Sequence, residues 1–115
     1  MGQYFKLHPS VFVYSRECPP AVTPFASFCE KEGFSYVLKE QDADGLETHF
    51  PCRCLELKAP TSLEEVGITA KVATALAKEN IPCNVIAAYH HDYFLVPLTQ
   101  GEKALEIVEV AFLNA

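Results

Sequence analysis

Positive charge is scarce and scattered in this 115-residue sequence. Nine Lys and Arg stand against fifteen Asp and Glu, for a net charge of −6, and no stretch gathers a basic stripe. A nucleic-acid binder needs cations to neutralise phosphates, so no nucleic-acid partner is expected. Long apolar runs are missing as well: none approaches the ~20 residues that span a bilayer. The start, "MGQYFKLHPS", has no apolar core of signal-peptide length. Lys6 stands where an N-myristoylation signal carries Ser or Thr. These absences predict a cytosolic chain without a membrane partner. No nucleophile elbow, P-loop or dinucleotide fingerprint occurs, so neither catalysis nor a cofactor is expected.

What is present fits a small folded protein. Half of the residues are hydrophobic, enough for a real core, and the length suits one compact domain or two very small ones. The five cysteines are odd in number and irregularly spaced. In a reducing compartment they are thiols, serving mostly as small buried hydrophobes.

Residues 1–49 read as strands and loops. "VFVYS" (11–15) is β-branched and aromatic, as strands prefer, and the three prolines of "RECPPAVTP" make a loop. "FASFC" and "FSYVLK" flank "EKEG" as a hairpin. Phe34, Tyr36 and Leu38 alternate with Ser35, Val37 and Lys39, the period of a strand, and Gly33 suits the turn. "EQDADGLE" reads as an acidic turn with one helical turn inside it.

Residues 50–115 differ. "PCRCLELKA" is a strand, and "TSLEEVGITAKVATALAKEN" is a helix with its lead-in. Ile68, Val72, Ala75, Leu76 and Glu79 form its stripe. Thr61–Glu64 and Ser62–Glu65 are capping patterns, and Asn80 ends the helix. "PCNVIAAY" and "DYFLVP" form a second hairpin with its turn at His90–Asp92. "TQGEKALEIVEVAFL" is a second helix, capped at Thr99–Glu102 and buried along Leu105, Val108 and Phe112. The order β-α-β-β-α lacks one strand of a ferredoxin-like βαββαβ unit. The first half reads as a similar unit without its first helix. The expected fold is α+β: an antiparallel sheet with helices on one face, built from an incomplete unit (1–49) and a fuller one (50–115).

"APTSLEEVGITAKVATALAKENIPCNVIAAYHHDYFLVP" resembles the ACT domain, a small ligand-binding regulatory module. It is most similar to the branch of short bacterial tandem ACT proteins and the CASTOR arginine sensors. The resemblance rests on Val66-Gly67-Ile68-Thr69, Tyr89 and Asp92-Tyr93-Phe94-Leu95-Val96, and the upstream "FASFCEKEGFSYVLKEQDADGLE" resembles the incomplete first unit. It implies a ferredoxin-like fold, an amino-acid ligand near an interface, pairing through sheets into a homodimer, and a sensor without catalytic machinery. The family's Asp-x-x-Pro-Gly lead into the first helix is replaced here by "SLEEVG".

Each constellation has a bland reading beside the functional one. Gly67 at a helix start lets a backbone or ligand approach, and the N–H groups of Ile68 and Thr69 suit a carboxylate; the alternative is a helix start whose glycine only aids packing. Asp92 can accept from a cationic group, or cap its own turn; the resemblance favours the ligand. Tyr89 would wall such a cleft, with His90 or His91 at its rim. The two histidines are neighbours in an extended segment and point to opposite faces, so they make a poor metal pair and read as turn residues. Cys52 and Cys54 share one face of a strand, and Cys83 on a neighbouring strand is a remote third member of a redox or metal site; no metal is expected.

Two functional readings follow: an amino-acid-binding regulatory module, or a ligand-free ACT-type dimerisation module. A small Cys or His enzyme is a third and weaker reading.

Overall fold

The structure, a computed structural model, describes residues 2–58 and 66–113. Seven strands form one antiparallel sheet: β1 (Phe5–Leu7), β2 (Phe12–Ser15), β3 (Ala26–Glu30), β4 (Gly33–Lys39), β5 (His49–Leu57), β6 (Asn84–Ala87) and β7 (Asp92–Pro97). Two helices, α1 (Ile68–Ala77) and α2 (Gly101–Leu113), complete the fold. The strand order is β3-β4-β2-β5-β7-β6, with β1 also paired to β5. This is the expected ACT-type, ferredoxin-like architecture.

The strand missing from the second half comes from the other end of the chain. β1 pairs antiparallel with the C-terminal part of β5 (Phe5 with Leu57, Leu7 with Leu55), and β2 pairs with its N-terminal part. The sequence gives no sign of a strand at Phe5–Leu7, because three residues are too short to display a period. The register slips between the two pairings: Phe50 and Pro51 face Val13 alone, and Phe50 takes a left-handed φ of 51°. That two-for-one count is a β-bulge.

Alternation along β5 divides its side chains between two cores. Leu55 and Leu57 join Phe5, Phe94, Val96 and the helical Val72, Leu76, Ala104 and Val108 beneath α1 and α2. Cys52 and Cys54 face the other way, with Phe12, Val37 and Leu95. No helix is needed to cover this second face, because the sheet curls. Asn84 Nδ2 on β6 reaches Tyr14 Oη on β2 at 3.4 Å, although β5 and β7 lie between them in the strand order. Phe25 closes over the curl, 4.7 Å from Phe12 and 4.9 Å from Tyr93 between ring centres. In the first half, Val13, Leu38 and Ala43 make a third small cluster.

The helix ends show local sequence at work. Val72 and Leu76 of the expected α1 stripe are fully buried, and Ile68 is half-buried, while Glu79 lies beyond the helix and is exposed. Asn80 adopts φ 59°, its N–H donates to Ala77 O, and Ile81 N–H donates to Leu76 O. This is the paired hydrogen-bond pattern of a Schellman stop, and Ile81 packs in the same core as Leu76. The capping pairs Thr61–Glu64 and Ser62–Glu65 lie outside the described residues. Before α2, a 3-10 turn at Leu98–Gln100 displaces the expected Thr99 cap; the cap position of that turn is Pro97. Gly101 opens α2 under the Arg53 side chain, where a Cβ would come within 2.9 Å of the arginine Cγ. Arg53 in turn donates to His8 O at 3.0 Å.

α2 also holds the N-terminal strand. The Glu109 carboxylate accepts from the backbone N–H groups of Gln3 (3.0 Å), Tyr4 (2.9 Å) and Phe5 (2.7 Å). Charge-assisted bonds of this kind are the strong ones. The Phe5 ring then lies edge-on to Phe94 and Phe112, at 6.1 and 5.0 Å. Phe5→Ala is expected to cost about 3–5 kcal/mol in urea unfolding, as large-to-small core changes do. Phe34→Ala, at a side chain 55% exposed, is expected to stay within about 0.5 kcal/mol.

Candidate ligand site

Three pairings place the β6–β7 turn and the C-terminus of β5 at one end of the sheet. Tyr93 pairs with Glu56 near the end of β5, Ala87 pairs with Asp92, and Phe5 pairs with Leu57. The β6–β7 turn therefore stands at the same end as the C-terminus of β5, from which the chain runs on toward α1. The second hairpin has the expected antiparallel form, with Val85 opposite Phe94. Its turn is one step earlier than expected: Ala88 N–H donates to His91 O at 2.9 Å, and Asp92 is already the first residue of β7. The strand takes Asp92 because Ala87 on the facing strand can pair with it.

At the helix start, Gly67 is the N-cap of α1 with φ 92° and no side-chain cap. Among the described residues nothing lies within 4 Å of where a Cβ would be. The position is open, and its glycine is required by backbone conformation rather than by crowding. Gly67 O accepts from Lys71 N at 3.0 Å as the first helical bond. Val66 is 92% exposed, Thr69 is exposed, and Ile68 turns into the helix-side core. Tyr89 is 78% exposed, and its ring meets His90 edge-on at 4.7 Å. Asp92 is half-buried and already has an interaction within the chain.

The two histidines divide as an extended segment requires, and only one stays a plain turn residue. His90 is exposed beside Tyr89. His91 Nδ1 lies 3.3 Å from Glu56 Oε2, while His8 Nε2 lies 2.8 Å from Glu56 Oε1. One carboxylate thus ties the hairpin turn and the β1–β2 connection to β5. The rings of His8 and His91 both flank Tyr93, at 6.3 and 6.0 Å. Burial pushes the Tyr93 hydroxyl pKa up, and the nearby Glu56 charge adds to the rise. Each imidazole addresses a different carboxylate oxygen, so the three groups do not converge on one point. Among the described residues no group of His, Cys, Asp and Glu could hold a metal ion. Sequence reading missed His8 and Glu56. The available hint was Glu56, a charge on the same strand face as Cys52 and Cys54; nothing local pointed to His8.

The cysteines separate too. Cys52 and Cys54 are fully buried in the curled-face core, whereas Cys83 packs against the helix-side core. The weighed three-cysteine cluster does not form. Burial pushes the thiols of Cys52 and Cys54 up to about 12, and that of Cys83 to about 11. The reactive form of a cysteine is the thiolate, so these groups are inert near neutral pH.

Residues 47–109, more than half of the chain, match the family model of the ACT domain. The chain belongs to the ACT-domain family. Its structure resembles that of VC0802 from Vibrio cholerae, a protein of unknown function described as a possible transport protein. The identity is 32%, with 95% of this chain and 88% of that one covered at a TM-score of 0.85. Atu0741 from Agrobacterium tumefaciens is similar at 20% identity, covering 93% and 87% of the two chains at a TM-score of 0.72. The regulatory subunit of aspartate kinase from Thermus thermophilus shares the fold at 11% identity, covering 96% and 97% at a TM-score of 0.71. No curated protein matches the chain. No helix among the described residues is long and apolar enough to cross a membrane.

Gly67→Ala is expected to destabilise the ACT chain by about 1–2 kcal/mol in urea unfolding, although no atom of the described residues blocks the added methyl. The cost is that of a left-handed non-glycine residue. Thiol labelling gives a second expected outcome. In native protein at pH 8, iodoacetamide should modify the exposed Cys29 first, and Cys52 and Cys54 only on unfolding, as read by peptide mass mapping. The unfolded thiols ionise near ~8.5 and the folded ones near 12. Their contribution to stability is therefore complete below pH ~8.5 and is lost as pH rises toward the folded value.

Proposed function

We propose that this ACT chain is a non-catalytic regulatory module that binds an amino acid at the end of the sheet where α1 starts and the β6–β7 turn closes. The observation that carries this reading is the exposed, left-handed Gly67 at the start of α1; the reading sets it at the end of the sheet that holds Asp92. Donors at a helix start suit a carboxylate. In this reading the N–H groups of Ile68 and Thr69 take the ligand's carboxylate, Val66 and Gly67 shape the approach, Asp92 faces its cationic end, Tyr89 walls the cleft and His90 stands at the rim. The relation to the tandem ACT branch of the arginine sensors belongs to the same reading, as does the division into units 1–49 and 50–115. The shared fold with the aspartate kinase regulatory subunits supports a regulatory rather than a catalytic role. Such a module acts by population shift: the ligand favours one arrangement of paired units, and a partner responds to it.

Pairing is part of the proposal. β3 and β6 are the outer strands of the sheet, and open edges invite a second copy, most commonly as a symmetric homodimer. Those edges equally suit the second reading, a module that dimerises without a ligand.

A thermal-shift screen against the amino acids separates the two, because a binder of the folded state raises Tm. One or more amino acids is expected to do so, and none doing so favours the dimerisation reading. Asp92→Asn is expected to weaken the affinity of at least one such binder about ten- to a hundredfold, the scale of one charge-assisted hydrogen bond. Unchanged affinity for every binder would remove Asp92 from the site.

A further inference from the structure

We propose that the cavity between β1 and α2 is a separate binding site for a free α-amino acid with an apolar side chain. The inference does not rest on the Gly67–Asp92 site. The cavity has a volume of about 550 Å³ and is lined by Phe5, Leu7, Lys58, Glu102, Leu105 and Glu106, among others. Small-molecule pockets are typically ~300–1,000 Å³, mostly apolar, with a few placed polar groups.

Strand register supplies the polar groups. Lys58 N donates to Tyr4 O, and His8 N donates to Cys54 O. Positions 4, 6 and 8 therefore make the hydrogen-bonded pairs with β5, and the backbone groups of Phe5 and Leu7 point away from it. The Phe5 N–H confirms this direction, since it reaches Glu109 Oε2 on α2. Among the described residues β1 pairs with no strand other than β5. Among the described residues nothing pairs with the outward N–H and C=O of Leu7, a half-buried residue on the cavity wall. A half-buried donor–acceptor pair of this kind wants a partner.

The same edge limits the partner's length. A peptide adding as a strand would need the Phe5 N–H, which Glu109 holds at 2.7 Å. One residue's donor–acceptor pair remains, the span of a single amino acid. Charge sets the ends. The ammonium of Lys58 spends one hydrogen on Gly2 O at 2.8 Å and has others for a carboxylate. Glu102 and Glu106, four residues apart on α2 and both exposed, line the cavity for an ammonium group. The ligand's carboxylate also takes the Leu7 N–H, its ammonium also meets the Leu7 C=O, and its side chain lies over Leu105.

Titration calorimetry with L-leucine, L-methionine and L-phenylalanine tests the site in the intact chain. At least one is expected to bind at millimolar concentration or better. Glu102→Gln/Glu106→Gln and Lys58→Met are each expected to weaken it about tenfold or more, Lys58→Arg to restore most of the affinity, and Asp92→Asn to leave it unchanged. Unfolding curves without ligand check that each variant is folded; if Lys58→Met is not, the glutamate pair alone decides. No binding by any of the three, or binding that ignores the cavity variants, overturns the proposal. Loss in Asp92→Asn alone also overturns it, and leaves the Gly67–Asp92 reading standing. Loss in both sets overturns the claim that the two sites are separate. Loss in the cavity variants alone supports the cavity and says nothing against a different ligand at Asp92.

Discussion

The nine residues of β5 offer two edges and two faces, and most of the molecule is attached to one of the four. β1 and β2 share one edge end to end, and β7 takes the other. Leu55 and Leu57 face the helices, and Cys52 and Cys54 face the curl. A strand used on both edges and both faces must be apolar at nearly every position, and "CRCLEL" departs from this only at Arg53 and Glu56. Both exceptions are engaged: Arg53 lies over Gly101 and holds His8 O, and Glu56 holds two imidazoles. The charges on β5 are thus the points where connections between strands are tied back to the sheet.

That arrangement explains why the β6–β7 turn is so polar. His91 reaches back to Glu56, His90 rests on Tyr89, and Asp92 begins the strand. The polarity of the turn is partly used in holding its own position, while Tyr89 and His90 stay exposed. N-terminal anchoring follows the same logic. A three-residue strand has too few ladder bonds to hold itself, and the Glu109 carboxylate, taking three successive N–H groups, supplies what the ladder lacks. It also divides the free edge of β1, so that among the described residues Leu7 is the position there with both its N–H and its C=O unpaired.

Much of the fold was legible because its signals are local. Alternation in "FSYVLK", the helical stripe through Val72 and Leu76, and Asn80 as a left-handed stop each depend on a few neighbouring residues, and the structure has all of them. The candidate site was legible only in part. Gly67 announces a special backbone position, and φ 92° agrees. The partners of His91 were not legible: His8 and Glu56 are 48 residues apart, and no periodicity links a connection between strands to the end of another strand. The Cys52–Cys54 pair was placed correctly on one face, but Cys83 went to the other core, a choice made by packing across strands rather than by spacing.

Local residues set the element types, the antiparallel hairpins, the apolar character of β5 and the ACT family to which the chain belongs, because propensity, period and turn chemistry act over a few residues. Long-range packing fixes which end of the chain supplies the strand beside β5, where the bulge at Phe50 falls, and which carboxylate holds which imidazole. Those outcomes depend on long-range pairings that share one strand. Once Phe5 is buried against Phe94 and Phe112, the register of β1 is set. With it are set the direction of every backbone group on that edge and the cavity it forms with α2.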